Sequence, residues 1–331
     1  TMSIAKKLAR NLKKYMLLYT IITALAAVIV GSSIPLIAKF PPKTFKSIVM
    51  LLAATTIFPS MILLRGEKLG SALKRIRYVL IVILYAYALS PVLAYFASAT
   101  ISNPDIRIGF LAANTVPASA ASIGYVMLAE GDLELATACI FILVALGTVL
   151  IPTYLCIYAS MMTVSVPISE IVKPVIAVLV IPLIIGQLAR RYIIKKKGVS
   201  FIESELKPYL SASTVLVMLL LIFILISRKA MLILKEPYTT LGILATYSLI
   251  VFTIIMVGLA VSKLLKIGYK AHQAIMFLSI TKNESVAAAV ATCGFGPTAA
   301  LAPALIPSIQ PVLAIAYLHA EKLVKRICRQ A

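Results

Sequence analysis

The stretch Thr281-Lys282-Asn283-Glu284-Ser285 decides how the rest of the chain is read. Apolar residues run into it (Ala274-Ile275-Met276-Phe277-Leu278-Ser279-Ile280) and out of it (Val286-Ala287-Ala288-Ala289-Val290-Ala291). Flanks and centre together are long enough to cross a bilayer, for which ~20 residues at ~1.5 Å each suffice. The polar residues therefore fall near mid-depth. A lysine or glutamate there costs about 3 kcal/mol or more unless it meets water, a partner or a ligand. A spanning helix broken at ionisable residues is an arrangement that transporters use for binding. The competing reading is a structural Lys–Glu ion pair between helices.

Composition sets the class. The chain has 331 residues, 61% hydrophobic and 13% charged, with a mean hydropathy of +1.03. A soluble chain carries about 25% charged residues. Long apolar runs recur along the whole length, which implies an all-α polytopic membrane protein forming a single transmembrane domain over residues 1–331. Weak alternation, the mark of a β-barrel, is not the pattern. In a soluble protein a net charge of +21 would suggest nucleic acid. Here the basic residues sit in short connections, so they orient the chain and meet anionic lipid headgroups. Membrane lipids are expected partners and nucleic acid is not. Cys139, Cys156 and Cys293 lie in apolar spans and Cys328 in the basic tail, with no CxxC pair. Neither a disulfide framework nor a zinc site is indicated, and no metal or cofactor is expected.

Residues 2–14 are basic, with Ile4, Leu8, Leu12 and Tyr15 at helical spacing. They predict a short amphipathic helix on the membrane surface rather than a signal peptide. Ten spans follow, at about 16–38, 45–64, 76–98, 106–129, 133–160, 168–192, 209–228, 239–262, 268–294 and 300–323. With the N-terminus inside, this count puts 23 lysines and arginines in inner connections and 7 in outer ones. One span more or fewer would scramble that asymmetry. The expectation is a multi-pass plasma-membrane protein with both termini cytoplasmic.

Ten spans divide into two fives, about 15–160 and 168–324. An odd count makes such a repeat inverted in the membrane. The fourth span of each half is the irregular one. The second half holds Lys282 to Ser285; the first holds Asn114-Thr115-Val116-Pro117-Ala118-Ser119-Ala120-Ala121-Ser122. Proline removes an amide donor and breaks a helix, leaving backbone groups that protein or cavity water must satisfy. Matching breaks in two halves point to a binding site. The candidate substrate-binding residues are Asn114, Thr115, Ser119, Ser122, Thr281, Lys282, Asn283, Glu284 and Ser285, with Lys282 and Glu284 as candidates for coupling. The polar residues of the first break also suit small-residue packing and interhelical hydrogen bonding.

At these residues the chain resembles a known family. Pro117-Ala118-Ser119-Ala120-Ala121-Ser122, followed by Leu128-Ala129-Glu130-Gly131-Asp132, is similar to the fourth and fifth spans of the bile acid:sodium symporter family. There a Pro-Gly-Gly-Thr-Ala-Ser-Asn crossover precedes a Leu-Ala-x-Gly-Asp loop. Thr281-Lys282-Asn283 resembles the ninth-span crossover, and Ala304-Leu305-Ile306-Pro307 to Ala316-Tyr317-Leu318-His319 the last span. The resemblance implies that broken helices 4 and 9 cross. It also implies a core (spans 3–5 and 8–10) moving against a panel (spans 1, 2, 6 and 7), with alternating access at the crossing.

The departures concern sodium. Where the sodium-coupled members carry ligands, this chain aligns Ile123, Ile140, Val144, Leu278 and Ala86, and Lys282 replaces a glutamine. Ser122 is retained. Sodium needs oxygen donors, and an ammonium at its site repels it. A tethered ammonium would hold positive charge at the crossing without an ion, to the advantage of an anionic substrate. The amino ends of the half-helices add to it. Lys282 has two other possible roles: permanent pairing with Glu284 or Asp132, or proton exchange, since burial disfavours the charged form of a lysine.

The leading expectation is a secondary transporter of a small organic anion, not coupled to sodium, with protons a possible coupling ion. An arsenite or oxyanion efflux carrier is the second; those related carriers are associated with a first-crossover cysteine, where this chain has Val116 and neighbours. A sodium-coupled organic anion symporter is the third, if Glu284 takes the ligand role. An enzyme is disfavoured. His272 and His319 lie near opposite ends of their spans, Asp105, Asp132 and Glu134 are expected in loops, and no nucleophile–base set forms.

Overall fold

The computed structural model describes residues 11, 15–34, 39–66, 70, 75–119, 121–162 and 166–328. All but position 11 of the amphipathic helix expected at 2–14 lies outside them. Helices α1 (Met16–Ser33) and α2 (Pro42–Leu63) come first. Helix α3 runs from Ile76–Leu84 through a π-helical turn, Tyr85–Leu89, into Ser90–Ala97. Then come α4 (Pro104–Thr115), α5 (Ser122–Leu128) and α6 (Leu133–Met161). Helix α7 runs from Ile168–Val175 through a π turn, Ile176–Val180, into Ile181–Phe201. The chain continues with α8 (Lys207–Lys235), α9 (Pro237–Leu264), α10 (Tyr269–Ile280), α11 (Glu284–Phe295), α12 (Leu301–His319) and α13 (Glu321–Ile327).

Seven of these helical segments are long and apolar enough to cross a membrane. One of them, Ile168–Lys235, runs for 68 residues. At ~1.5 Å per residue a straight helix of that length would span more than three bilayer cores. It does not stay straight. Gly198, at φ 79 and ψ 169, breaks the helical path, and α7 and α8 both pack against α2. Glycine suits this point because it adopts positive φ without a Cβ clash. The expected connection after residue 192 is therefore helical on both sides of one glycine. Helix α8 likewise extends past the expected end at 228, so Arg228, Lys229 and Lys235 are helical.

Local chemistry explains the ends. Pro104 opens α4, and the Asn103 side chain accepts from the amides of Asp105 and Ile106 at 3.0 and 3.2 Å, the usual N-cap device. Asp132 does the same for α6, accepting from Leu135 N at 2.9 Å. It also pairs with Arg75.

Burial orders the helices. Helix α1 exposes Leu25 and Ile29, as a lipid-facing helix should. Every residue of α10 except Lys270 is buried, as are Glu284 to Cys293 of α11. A helix buried all round belongs to the interior, so the short, interrupted helices form the centre. Helix α8 packs on α1 and α2, and α7 on α2; α3 to α6, α9, α10 and α12 form a second group, which meets the first where α12 packs on α1 and α8 and α6 on α7; α11 packs between them, on α2, α7, α4 and α12. Gly109 marks a close approach in the second group, where an added Cβ would stand 1.7 Å from Ala299 O.

Candidate functional site

The first break begins at Thr115. Pro117 disfavours helical geometry in the residue before it, and Val116 is extended, at φ −76 and ψ 155. The second break has no proline. Thr281 (φ −117, ψ 105) and Asn283 (φ −91, ψ 83) leave the helical region, and hydrogen bonds from outside the helix hold them there.

Those bonds come from the first break. The two interruptions meet as an antiparallel bridge between Ala118 and Lys282. Ser119 N donates to Thr281 O at 3.2 Å and Asn283 N to Pro117 O at 3.0 Å. Each break thus satisfies backbone groups that the other exposes, which a buried non-helical segment requires. Side chains reinforce the pair: Thr281 Oγ1 donates to Phe277 O, leaving the Ser122 hydroxyl, 2.5 Å away, to donate to Thr281.

The far side of Lys282 is bound by a residue that sequence reasoning did not select. Lys282 N donates to Gln310 Oε1 at 2.8 Å and Gln310 Nε2 donates to Lys282 O at 3.2 Å. The side-chain amide acts as a third strand. Tyr247 donates to the same Oε1 at 2.7 Å. A signal existed in the sequence: Gln310 is a lone amide in an apolar span, between Pro307 and Pro311, and intramembrane polar residues are rarely idle.

The Lys282 ammonium is 2% exposed as a residue and donates to Ala86 O at 3.2 Å. The structure of α3 explains why that carbonyl is open. Ser90 N bonds to Tyr85 O across the π turn. The next residue, Pro91, has no N–H. Ala86 O therefore loses both helical donors. Tyr87 O, four residues before Pro91, accepts the Tyr154 hydroxyl instead. Ser90 Oγ in turn donates to Asn114 O at 3.0 Å, at the end of α4. One proline and one π turn thus tie α3 to both breaks and to α6.

Neither proposed partner of Lys282 holds its ammonium. Asp132 is engaged with Arg75. Glu284 lies outside ion-pair distance of it, and among the described residues its two buried carboxylate oxygens have no hydrogen-bond partner. The other candidates divide by location. Thr281, Lys282, Ser119 and Ser122 meet at the crossing. Asn283 contributes its backbone. Asn114 and Thr115 are buried but turn back on their own helix, to Phe110 O at 2.9 Å and Ala112 O at 3.0 Å. Ser285 is buried in the first turn of α11. His272 is bound on both ring nitrogens, to Ser262 at 2.6 Å and Tyr317 at 2.8 Å, which ties α9, α10 and α12 together.

Comparison with known proteins shows the family. The family model of the sodium bile acid symporter family matches residues 49–236, more than half of the chain. The chain belongs to the sodium bile acid symporter family. It is therefore a membrane transporter, and its apolar helices make it integral to the membrane. The matched region contains the first break and ends before the second. A longer match covers 84% of both chains. Over 304 residues the transporter is 23% identical to the arsenical-resistance protein Acr3 of Alkaliphilus metalliredigens.

Proposed function

We propose that this transporter carries a small organic anion across the plasma membrane by alternating access, without sodium. In this reading Lys282 supplies the positive charge that sodium supplies in sodium-coupled relatives. The chain crosses ten times as two inverted repeats with both termini cytoplasmic. The helices α1, α2, α7 and α8 act as a panel, and the remaining spans as the moving core. One observation carries the reading: a buried ammonium sits where two helix breaks cross, held among the described residues by a single backbone carbonyl. An ammonium has three donors, so the bond to Ala86 O leaves capacity for an anion. Ala86, whose carbonyl receives it, aligns with a sodium-ligand position. Ile123, Leu278, Ile140 and Val144 offer hydrocarbon at others. Glu284, two residues from Lys282 and without a hydrogen-bond partner among the described residues, is the second coupling candidate, by taking up and releasing a proton. Asn114, Thr115, Ser119, Ser122, Thr281, Asn283 and Ser285 complete the proposed binding and positioning set.

The similarity to Acr3 favours a second reading, export of arsenite or a related oxyanion. Soft thiolate ligands would suit such a substrate. The first break carries none, and Cys293 lies ten residues beyond Asn283, about 15 Å along a helix. A thermal-shift screen against small carboxylates, arsenite and sodium separates the readings, because ligands of the folded state raise Tm. A carboxylate should raise Tm equally in sodium, potassium and choline at fixed ionic strength. A saturable, sodium-specific rise would refute sodium independence and give Glu284 the ligand role. A rise with arsenite and with no carboxylate would replace the first reading by the second.

A further inference from the structure

A cavity of about 470 Å³ lies where the chain beyond α2 meets α6 and α7, and no residue of the crossing lines it. Its walls are apolar at Phe141, Ile194 and Val199; its charges are Arg190, Arg191 and Lys195; among the described residues no aspartate or glutamate lines it. Arg190 is 2% exposed and donates to Ile62 O at 3.1 Å, which fixes the guanidinium. Arg191 and Lys195, one helical turn apart, are exposed at the rim. The Gln187 amide donates to Met61 O at 2.7 Å and to Leu64 O at 3.0 Å. Gly66 keeps the space open beside it, since a Cβ there would stand 2.6 Å from Gln187 Oε1.

The depth of the cavity narrows its ligand. Helix α7 exposes Ile184, Ile185 and Leu188, then Tyr192, and then the cations Lys195 to Lys197. In a spanning helix this change from apolar to aromatic to basic marks the headgroup level. The cavity covers the same stretch, from Gln187 to Val199. A basic recess with hydrocarbon walls at that depth suits a ligand with an anionic head and an apolar body. A small polar anion such as glycerol 3-phosphate has the first feature and lacks the second.

We infer that this cavity binds the phosphate-bearing headgroup of an anionic bilayer lipid, with Arg191 and Lys195 at the phosphate and Phe141 beside the first carbons of a chain. The inference stands apart from the substrate reading. Native mass spectrometry of the purified, detergent-solubilised protein tests it, with phosphatidylglycerol, phosphatidylcholine and glycerol 3-phosphate as probes. Phosphatidylglycerol should bind more tightly than either of the others. The double variant R191Q/K195Q should weaken it about thirtyfold, at about 1 kcal/mol per cation near an anionic surface. The variant K196Q/K197Q removes the same charge from residues whose ammonium groups lie over Tyr192 and Phe201, outside the cavity. It should weaken binding no more than about threefold, since diffuse attraction is screened beyond ~8 Å at physiological salt. Equal losses in the two variants would overturn the site in favour of general charge attraction. Glycerol 3-phosphate binding as tightly as the lipid would overturn the lipid as occupant.

Discussion

Consider Lys282→Met, which removes the ammonium and keeps most of the side-chain volume. The variant loses one hydrogen bond, from Nζ to Ala86 O at 3.2 Å. A bond with a charged donor contributes about 1.5–3 kcal/mol. The variant also escapes the cost of a lysine at mid-membrane, about 2.5–3.5 kcal/mol on an insertion scale. The difference runs from about 2 kcal/mol stabilising to about 0.5 kcal/mol destabilising. Tm should therefore hold or rise by a few degrees. A structural ion pair gives the opposite sign, because stranding a buried carboxylate costs about 3–5 kcal/mol. Function should respond differently. Losing a charge-assisted bond to an anionic substrate weakens its binding about 10- to 150-fold. The assay pairs Tm of the purified variant with uptake into proteoliposomes of whichever carboxylate the thermal screen identifies. Folded protein with unchanged uptake would end the claim that Lys282 supplies the charge. A fall in Tm that K282M/E284Q restores would show that Lys282 and Glu284 are a structural pair after all.

Gln310→Leu should lower Tm, because it leaves Lys282 N and O at the crossing without the amide that binds both; a buried group left unpaired costs about 1–3 kcal/mol. A Gln310→Leu protein with wild-type Tm and uptake would refute the clamp. Gly109→Ala should destabilise strongly, since its Cβ would meet backbone at Ala299 and overpacking costs about 1–3 kcal/mol even where side chains can yield. Unchanged Tm would mean that α4 and the turn before α12 do not approach so closely. Ser200→Cys, exposed just past Gly198, should react with an impermeant thiol reagent from the cytoplasmic side only. Labelling from outside would reverse the topology and remove the inverted repeat.

What the sequence determined by itself is what depends on neighbours along the chain. Apolar runs show which segments seek lipid, because transfer free energy is nearly a sum over adjacent residues. The two interruptions were legible for the same reason: Pro117 breaks its own helix, and Lys282 to Ser285 stand out against hydrocarbon on both sides. The tertiary structure decided how each broken backbone is satisfied. Gln310 lies 28 residues from Lys282, and Ala86 lies 196 away. The π turn before Pro91 opens a carbonyl, and no local pattern says that an ammonium from α10–α11 will reach it while Tyr154 takes the next. Asp132, a plausible partner for Lys282 by charge, goes to Arg75 because α3 and α6 bring them together. A buried polar group must find a partner, and which one it finds depends on which helices stack at that depth and with which faces inward.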